Sequence, residues 1–313
     1  MKFLIYGAGT IGCFQGGFLA HAGHPVTLFG RRQRMAEIRG HGLRVDGIFG
    51  SVHIPDIPVS WEISQISEQA FDVILFCVKA FDTENSLEDL SRLVKPGTLV
   101  VSLQNGLGNV EQIVSRIGAE HTVAGRIITG VFMPQPGHAR VTVTADATRI
   151  GPVAGGPSME RVEEVAKILS NASLPTVAAP DVFKFIWAKV LYNSALNPLS
   201  AILGATYGEL GENPHTRRVM DAVIDEGFTA ASLEGVPLFW QHPDEYRKIF
   251  YENEIPLTSA HRSSMLQSIE KGQRTEIDSL NGALVAIGRR HSVDLPVNAT
   301  LTRIIKAKES ILT

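Results

Sequence analysis

One stretch of the sequence, WAKVLYNSALNPLS, carries polar groups at a spacing suited to an active site. Lys189, Asn193 and Asn197 follow one another at four-residue steps, so on a helix they stack an ammonium and two carboxamides along a single face. The residues between them are mostly apolar and would pack the rest of the helix into a core. We interpret the polar face as the floor of an active site. The spacing alone is equally compatible with an ordinary surface stripe of Lys and Asn.

Pro198 directly follows the last of these polar residues. It has no amide hydrogen, and its ring clashes with the preceding turn and disfavours the helical conformation of Asn197. We therefore expect a local break, with a kink of the helix at Asn197.

The composition favours a globular protein of two domains that carries out small-molecule chemistry. The 313 residues, 44% of them hydrophobic and 19% charged, can bury a large core. A formal charge of −3 gives no indication of binding to nucleic acid or to a membrane surface. Cys13 and Cys77 lie in apolar runs, which is typical of reduced thiols in the cytoplasm. Glycines interrupt the apolar start MKFLIYGAG, so we expect neither a secretory signal nor a transmembrane segment.

The N-terminus has the order of strand, glycine turn, helix and strand that a dinucleotide-binding unit requires. A short apolar run ending at Tyr6 leads into GAGTIG, and a small-residue helix and a second strand ending at Phe29 follow. Gly7 would permit the tight turn, Gly9 the approach of a pyrophosphate, and Gly12 close packing of helix on strand. The phosphates would lie at the helix N-terminus, where amide hydrogens and the helix dipole favour an anion. The motif consists of Gly7, Ala8, Gly9, Thr10, Ile11 and Gly12.

The end of the second strand favours NADP(H) over NAD(H) as the cofactor. An acid at this place binds the ribose 2′-hydroxyl, whereas an arginine pairs with a 2′-phosphate. The sequence here is FGRRQR, in which Arg31, Arg32 and Arg34 crowd the position and no acid occurs. A solvated basic start of a helix is the alternative interpretation.

Two later apolar runs, FDVILFCV and TLVVSL, are typical of buried strands, and polar residues follow both. Lys79 comes after the first run and Asn105 after the second. Because open α/β sheets bind ligands at the carboxyl ends of their strands, Lys79 is a candidate for the adenosine side of the cofactor. Asn105 is a candidate for the nicotinamide and the substrate. Either can instead be an ordinary loop residue, and Asn-Gly is a common turn pair.

The remaining pattern divides the chain into an α/β part and a helical part. The segment HGLRVDGIFGSVHIP predicts a small hairpin, and residues 139–144 (ARVTVT) predict β structure that extends the sheet. We place an NADP-binding domain with a mostly parallel sheet at residues 1–180. A helical substrate and catalytic domain would follow at residues 181–313.

Two predicted helices of the second domain, over 263–270 and about 275–289, begin with polar residues. Ser264 starts the first, and Glu276 lies in the first turn of the second, so convergence of both near the Lys189 face is one interpretation. By pattern alone, ordinary capping roles are the favoured interpretation for both. The cysteines and histidines show no spacing that predicts a zinc site.

Five motifs together resemble those of the ketopantoate reductase (2-dehydropantoate 2-reductase) family. They are GAGTIG, CVKA, LQNGLGN, KVLYNSALNPLSA and SSMLQSIEKGQRTEID, which occur in the family's order over essentially the whole chain. The resemblance implies an N-terminal Rossmann domain, an all-helical C-terminal domain like those of 6-phosphogluconate dehydrogenase relatives, and an active cleft between them. It also implies reduction of 2-dehydropantoate to pantoate with NADPH, in pantothenate and coenzyme A synthesis.

The resemblance assigns a role to each candidate residue. The family's general acid falls on Lys189, and its cleft glutamate, near both cofactor and lysine, falls on Glu276. A protonated lysine would stabilise the charge that grows on the ketone oxygen and donate a proton to it. The family's substrate-binding residues fall on Asn105, Asn193, Asn197 and Ser264.

One departure from the family pattern concerns the substrate. Family members often carry Asn-Gly-Glu-Leu after the lysine helix, with the Asn in contact with the substrate, whereas this chain has Tyr207 at that place. A phenol is longer than a carboxamide and lacks its paired donor and acceptor, so we expect a reshaped substrate pocket at Tyr207. A reductase of another 2-keto acid on the same scaffold is therefore an alternative.

A second alternative is an NADP-sensing regulatory protein that has lost catalysis. The presence of both Lys189 and Glu276 argues against it, because a sensor needs no proton donor. The sequence leaves both a monomer and a homodimer open.

Overall fold

The computed structural model describes residues 1–312, which form two compact units. The first unit comprises Met1–Gln104 and Asn109–Val182, and the second comprises Asn105–Gly108 and the chain from Phe183 onward. The short segment Asn105–Gly108 therefore groups with residues that are distant from it in sequence. Within the described residues, no helix combines the length and the apolar character that crossing a membrane requires.

The strands all belong to the first unit. Short apolar runs such as FLIY and VILF are buried at every position, as expected for strands covered by helices on both faces. The strands are β1 (Phe3–Tyr6), β2 (Val26–Phe29), β3 (Leu43–Gly47), β4 (Val52–Ile54), β5 (Val59–Ser60), β6 (Val73–Phe76), β7 (Leu99–Ser102), β8 (Thr122–Arg126), β9 (Thr129–Gln135), β10 (His138–Thr144), β11 (Thr148–Pro152) and β12 (Thr176–Ala178).

The central sheet has eight strands in the order β12-β11-β8-β7-β6-β1-β2-β5. The six strands from β8 to β5 are parallel, and β11 and β12 run in the opposite direction. Numbered 1 to 6 along the chain, these strands lie side by side in the order 3-2-1-4-5-6. The chain therefore builds the sheet outward from β1, first to one side and then to the other, and the strand order reverses at β1. Ligands of open α/β sheets bind at such a reversal, outside the carboxyl ends of the strands. The fold therefore places the favoured ligand position at the glycine turn after β1.

A second sheet has four strands in the order β4-β3-β10-β9. The predicted hairpin is confirmed, since β3 and β4 pair antiparallel. The expectation that residues 139–144 extend the main sheet is wrong, because β10 pairs with β3 and β9 instead. The physical reason lies in its alternating sequence. Ala139 and Val141 are buried while Arg140 and Thr142 are exposed, a pattern that suits a sheet covered on one face only.

Helices flank the central sheet in the first unit and build the second unit. Each helix buries an apolar face, and the second unit contains no strand among its described residues. The helices are α1 (Thr10–His21), α2 (Arg32–His41), α3 (Thr83–Leu93), α4 (Asn109–Ile117), α5 (Met159–Asn171), α6 (Val182–Leu203), α7 (Tyr207–Glu212), α8 (Pro214–Leu233), α9 (Pro243–Ile249), α10 (Ile255–Leu257), α11 (Ser264–Glu270), α12 (Asn281–Arg290) and α13 (Pro296–Leu312). The predicted class, a mostly parallel α/β unit followed by a helical one, is confirmed.

The helix predicted to begin at Thr275 starts later than expected. Glu276 precedes a 3₁₀ turn, Ile277–Ser279, and α12 begins only after Leu280, whose φ and ψ of −104° are not helical. The hydroxyl of Thr275 accepts a hydrogen bond from the amide of Ile277 at 3.2 Å. Such a local bond from a side chain competes with regular helix. Glu276 therefore lies in a turn and not in the first turn of a helix.

Helix α6 continues through Pro198 to Leu203, so the expected interruption of the helix is wrong, whereas the kink at Asn197 stays a prediction. Proline cannot donate to the carbonyl of Ser194 one turn earlier. In its place, Nδ2 of Asn281 donates to this carbonyl at 3.0 Å and to Oδ1 of Asn298 at 2.8 Å. Asn298 in turn donates to Glu226 at 2.7 Å. A buried side chain from α12 thus replaces the helical hydrogen bond that Pro198 removes.

We expect Asn281→Ala to lower the free energy of unfolding by about 1 to 3 kcal/mol, because it leaves the buried carbonyl of Ser194 without this donor. Denaturant unfolding followed by circular dichroism measures the loss. Ser194→Ala is the matched control, since its buried hydroxyl has no hydrogen-bond partner within residues 1–312. Its removal should change the stability by no more than about 0.5 kcal/mol. Equal losses in the two variants would contradict the role given to Asn281.

Candidate active site

The glycine turn between β1 and α1 leaves space for a ligand at one position only. Gly7 has a φ of +98°, and a Cβ there would lie 2.6 Å from the amide nitrogen of Val78. A Cβ on Gly12 would lie 2.4 Å from the carbonyl oxygen of Gly7. At Gly9, by contrast, the nearest atom to an added Cβ is Nη1 of Arg34, 3.7 Å away. The fold itself requires Gly7 and Gly12, whereas a methyl group at Gly9 would make only ordinary van der Waals contacts beside the N-terminus of α1.

We expect Gly9→Ala to weaken NADPH binding about tenfold or more, because the added methyl group occupies the space for the ligand. Its melting temperature should stay close to that of the wild type. Gly12→Ala is the contrasting variant and should lower the melting temperature, since its Cβ overlaps a backbone oxygen. Fluorescence titration and thermal denaturation separate the two effects. Unchanged NADPH affinity in Gly9→Ala would argue against a phosphate at this turn.

Four cations lie near the carboxyl ends of the strands on either side of β1, among them Arg34, which donates to the carbonyl of Ala8 at 3.4 Å. Arg31 and Arg32 follow β2, and Lys79 follows β6. The side chain of Arg31 is 84% exposed and lies 3.5 Å from a carboxylate oxygen of Asp82. Arg32 donates to Glu62 at 2.7 Å. The exposed guanidinium of Arg31 is therefore accessible to an anionic ligand.

In the second unit, the half-buried side chains of Lys189, Asn105 and Glu276 form a connected set. Nζ of Lys189 donates to Oδ1 of Asn105 at 2.6 Å. Nδ2 of Asn105 donates to Oε2 of Glu276 at 3.2 Å. The carboxamide thus lies between a cation and a carboxylate, with each of its ends turned to a partner of suitable polarity. This arrangement fixes the ammonium group, which is a potential proton donor.

Asn105 reaches this set because its own turn packs against the turn after Glu276. The amide of Leu107 donates to the carbonyl of Ser279 at 2.9 Å. Gly106 has a φ of +87°, and a Cβ there would lie 2.2 Å from the same carbonyl oxygen. The Asn-Gly pair therefore lies in a bend of the chain. This bend brings the carboxamide of Asn105 to Lys189.

A small depression with a cavity volume of about 10 Å³ is lined by residues that include Asn105, the partner of Lys189. It is lined mainly by carboxamide, hydroxyl and carboxylate groups. We call it the polar depression, and it is lined by Asn105, Asn193, Asn197, Ser264, Met265, Ser268, Glu276 and Leu280. The structure thus brings together five of the residues that the sequence analysis singled out. Lys189 joins them through its bond to Asn105.

Tyr207 lies behind the wall of the polar depression. It is 3% exposed, and its hydroxyl donates to Oδ1 of Asn197 at 2.6 Å. It packs in an apolar cluster that also contains Leu196, Leu199 and Leu210. Direct contact of the phenol with a substrate, which the sequence comparison suggested, is therefore replaced by contact with a residue of the wall.

Sequence reasoning missed two residues that shape the polar depression. The hydroxyl of Ser263 accepts from the amide of Leu266 at 2.9 Å and donates to the carbonyl of Asn197 at 3.3 Å. It thereby caps α11 and ties the helix to α6. Ser268 lies four residues after Ser264, so the two share one face of α11. The four-residue spacing was the available signal for Ser268.

Comparison with known proteins identifies the family. The α/β unit with a glycine turn and the helical unit with a lysine-centred polar site are those of a class of oxidoreductases with a Rossmann-type fold. The family described as Ketopantoate reductase PanE/ApbA matches residues 3–155, and its C-terminal counterpart matches residues 181–309. The chain belongs to the ketopantoate reductase family.

Individual relatives match the chain over nearly its full length. A 2-dehydropantoate 2-reductase of Aquifex aeolicus (strain VF5) is 40% identical over 311 residues, which cover 99% of this chain and 97% of that protein. The crystal structure of a PanE/ApbA family ketopantoate reductase from Ralstonia eutropha JMP134 is 32% identical, with a TM-score of 0.88 and coverage of 100% and 99%. A D-mandelate dehydrogenase, solved with NADH and anilino(oxo)acetate, is 26% identical, with a TM-score of 0.87 and the same coverage.

Proposed function

We propose that this protein reduces 2-dehydropantoate to pantoate with NADPH, a step of pantothenate and coenzyme A synthesis. The observation that carries the proposal is the set of Lys189, Asn105 and Glu276 beside the polar depression. Membership of the ketopantoate reductase family supports it. Within residues 1–312, no three His, Cys, Asp or Glu side chains are grouped to hold a metal ion, and the proposal uses none.

The roles follow from the chemistry of reducing a ketone. When bound, a reduced nicotinamide supplies a hydride to the ketone carbon of a 2-keto acid. Lys189 stabilises the charge that grows on the ketone oxygen and donates a proton to this oxygen. Asn105 holds the ammonium at 2.6 Å, and Glu276 holds Asn105 from its other end. Preorganisation of this kind lowers the barrier because the donor needs no rearrangement during the reaction.

The polar groups of the depression would bind the rest of the substrate. Carboxamides and hydroxyls recognise a carboxylate or a hydroxyl group through hydrogen bonds. We assign this role to Asn193, Asn197 and Ser264, which lie in the lining of the depression.

NADP(H) is the cofactor that the first unit fits best. The space at Gly9 accepts a phosphate, and Arg31 offers an exposed guanidinium after β2, where an acid would bind an unmodified ribose. Lys79, exposed after β6, is a further cation of this region. The D-mandelate dehydrogenase with a TM-score of 0.87 was solved with NADH. Because a protein of the same fold was solved with NADH, we assign the preference of this chain for NADPH to its arginines and not to its fold.

Reduction of another 2-keto acid is the second candidate function, because a D-mandelate dehydrogenase shares the fold. The lining of the polar depression favours a small hydroxylated acid over one with a phenyl ring. Six of the eight lining residues are polar, and Met265 and Leu280 are the apolar ones. In the polar depression, an aromatic substituent would displace water from amides and hydroxyls without replacing the hydrogen bonds of that water. Polar groups buried in this way without a partner cost free energy of binding.

NADPH oxidation assayed against a panel of 2-keto acids tests the proposal. The panel includes 2-dehydropantoate, its analogue without the hydroxyl group and a 2-keto acid with a phenyl ring. We expect the highest kcat/KM for 2-dehydropantoate. A higher value for another acid would establish the second candidate, and NADPH binding without turnover of any acid would favour a regulatory protein.

A further inference from the structure

The hydroxyl of Tyr207 is hydrogen-bonded to Asn197, a residue that lines the polar depression. The hydroxyl of Tyr207 donates to Oδ1 of Asn197 at 2.6 Å. Both residues are 3% exposed, so water does not compete for this hydrogen bond. Nδ2 of Asn197 has no hydrogen-bond partner among the described residues, and Asn197 lines the polar depression. A carboxamide whose oxygen is engaged in this way has two N–H donors left for a ligand.

The position of the phenol is fixed from several sides. Its ring packs edge to face on Tyr192, with centroids 5.7 Å apart and an angle of 82°, and lies 5.0 Å from the ring of His261. The backbone amide of Tyr207 donates to the carbonyl of His261 at 3.0 Å. One residue earlier, Thr206 and Glu209 form a capping box that starts α7. The hydroxyl therefore stands at a defined place before any ligand binds.

The hydroxyl also keeps its proton. Burial, with a smaller contribution from Tyr192, raises the pKa of the Tyr207 phenol well above its ordinary value. It therefore has a proton to donate throughout the neutral pH range, and in the structure it donates this proton to Oδ1 of Asn197.

We infer that Tyr207 is a positioning residue that fixes the polarity of Asn197, with the amide oxygen held by the phenol and the N–H donors presented to the polar depression. The carboxamide of Asn105 is also oriented by its partners, since its oxygen accepts from Lys189 and its nitrogen donates to Glu276. The depression then selects an oxygen acceptor at Asn197, either a carboxylate or a hydroxyl oxygen, and disfavours an ammonium group there. This role rests on the proposed function, since the acceptor is taken to belong to a 2-keto acid.

Tyr207→Phe tests the inference because it removes only the hydroxyl. We expect the KM for 2-dehydropantoate to rise about 2- to 10-fold, the effect of one hydrogen bond, with kcat and the KM for NADPH nearly unchanged. In an Asn197→Ala background, the same substitution should have no further effect, since it acts through Asn197. An equal rise of KM in both backgrounds, or no rise in the wild-type background, would overturn the inference.

Tyr192→Phe is the matched control. Tyr192 is a neighbouring, partly buried phenol whose hydroxyl bonds to Thr258 at 2.7 Å and not to Asn197. Its loss tests whether any missing phenol hydroxyl in this cluster disturbs the site. We expect the KM for 2-dehydropantoate to stay near the wild-type value, and a rise equal to that of Tyr207→Phe would show a merely structural effect and overturn the inference.

A readout without turnover separates this inference from the proposed function. The side-chain amide resonances of Asn197 are assigned by their loss in Asn197→Ala. They should shift in Tyr207→Phe, because the amide oxygen loses its donor, whether or not 2-dehydropantoate is reduced. Unchanged resonances would overturn the inference even if the enzyme is active. Failure of the wild type to reduce 2-dehydropantoate would instead refute the proposed function, and the kinetic comparison would then use the 2-keto acid that is reduced best.

Discussion

Lys189→Ala is expected to lower kcat by about 10² to 10⁴-fold or more, the contribution typical of a general acid. The electrostatic stabilisation of the alkoxide is lost with the proton donor, so the effect falls on the transition state and hence on kcat. Asn105 loses the cation to which its oxygen is bonded at 2.6 Å, which adds to the loss. Steady-state kinetics with saturating NADPH and 2-dehydropantoate measure kcat, and circular dichroism checks that the variant is folded.

Two controls sharpen this result. NADPH binding, measured by fluorescence titration, should survive in Lys189→Ala, because the glycine turn belongs to the first unit. Lys189→Arg keeps the charge, but a guanidinium is a poor acid of different shape, so little activity should return. A lysine without a role in catalysis would be replaceable within about 0.5 kcal/mol of stability and without kinetic effect. Near wild-type kcat in a folded Lys189→Ala protein would refute the assignment of Lys189 as the proton donor.

The double variant Arg31→Ala, Arg32→Ala is expected to lower kcat/KM for NADPH about 10- to 100-fold and to leave the use of NADH nearly unchanged. Charge-assisted hydrogen bonds to a phosphate are stronger than neutral ones, and only NADPH carries the 2′-phosphate. Within residues 1–312, Arg31 forms an exposed 3.5 Å ion pair with Asp82 and Arg32 an exposed 2.7 Å ion pair with Glu62, and exposed ion pairs stabilise a fold little, so the double variant should stay folded. Kinetics with both cofactors at a fixed concentration of keto acid give the ratio.

Arg39→Ala is the matched control for the loss of positive charge. Arg39 lies on the same helix, α2, but its guanidinium packs over the ring of Trp61 and donates to the carbonyl of Val59. It should leave the ratio of NADPH to NADH efficiency unchanged. Equal efficiency of the wild-type protein with both cofactors would contradict the preference for NADPH.

The sequence alone determined those features that depend on neighbouring residues. The order of strand, glycine turn and helix lies within 21 residues, and continuous apolar runs such as VILF indicate buried parallel strands. The four-residue spacing of Lys189, Asn193 and Asn197 predicted a shared helix face, because helical geometry is local. The roles of these residues in catalysis stay predictions that the variants above test.

Only the tertiary structure decided which partners these residues meet, because such contacts join segments that are far apart in the chain. Asn105 and Lys189 are 84 residues apart, and their bond depends on a turn after Glu276. Pro198 leaves the carbonyl of Ser194 without its helical hydrogen bond. Asn281, 87 residues away in the sequence, donates to this carbonyl, and the helix continues where a local rule predicted a break.

The same limit explains the error at β10 and the unexpected burial of Tyr207. The alternating sequence of β10 predicted a strand, but strand pairing depends on long-range contacts, which assigned it to a second sheet. Comparison of motifs placed Tyr207 at the substrate, whereas packing against Tyr192 buried its ring behind Asn197. A sequence position specifies the type of side chain, while the direction in which that side chain points is decided by the residues packed around it.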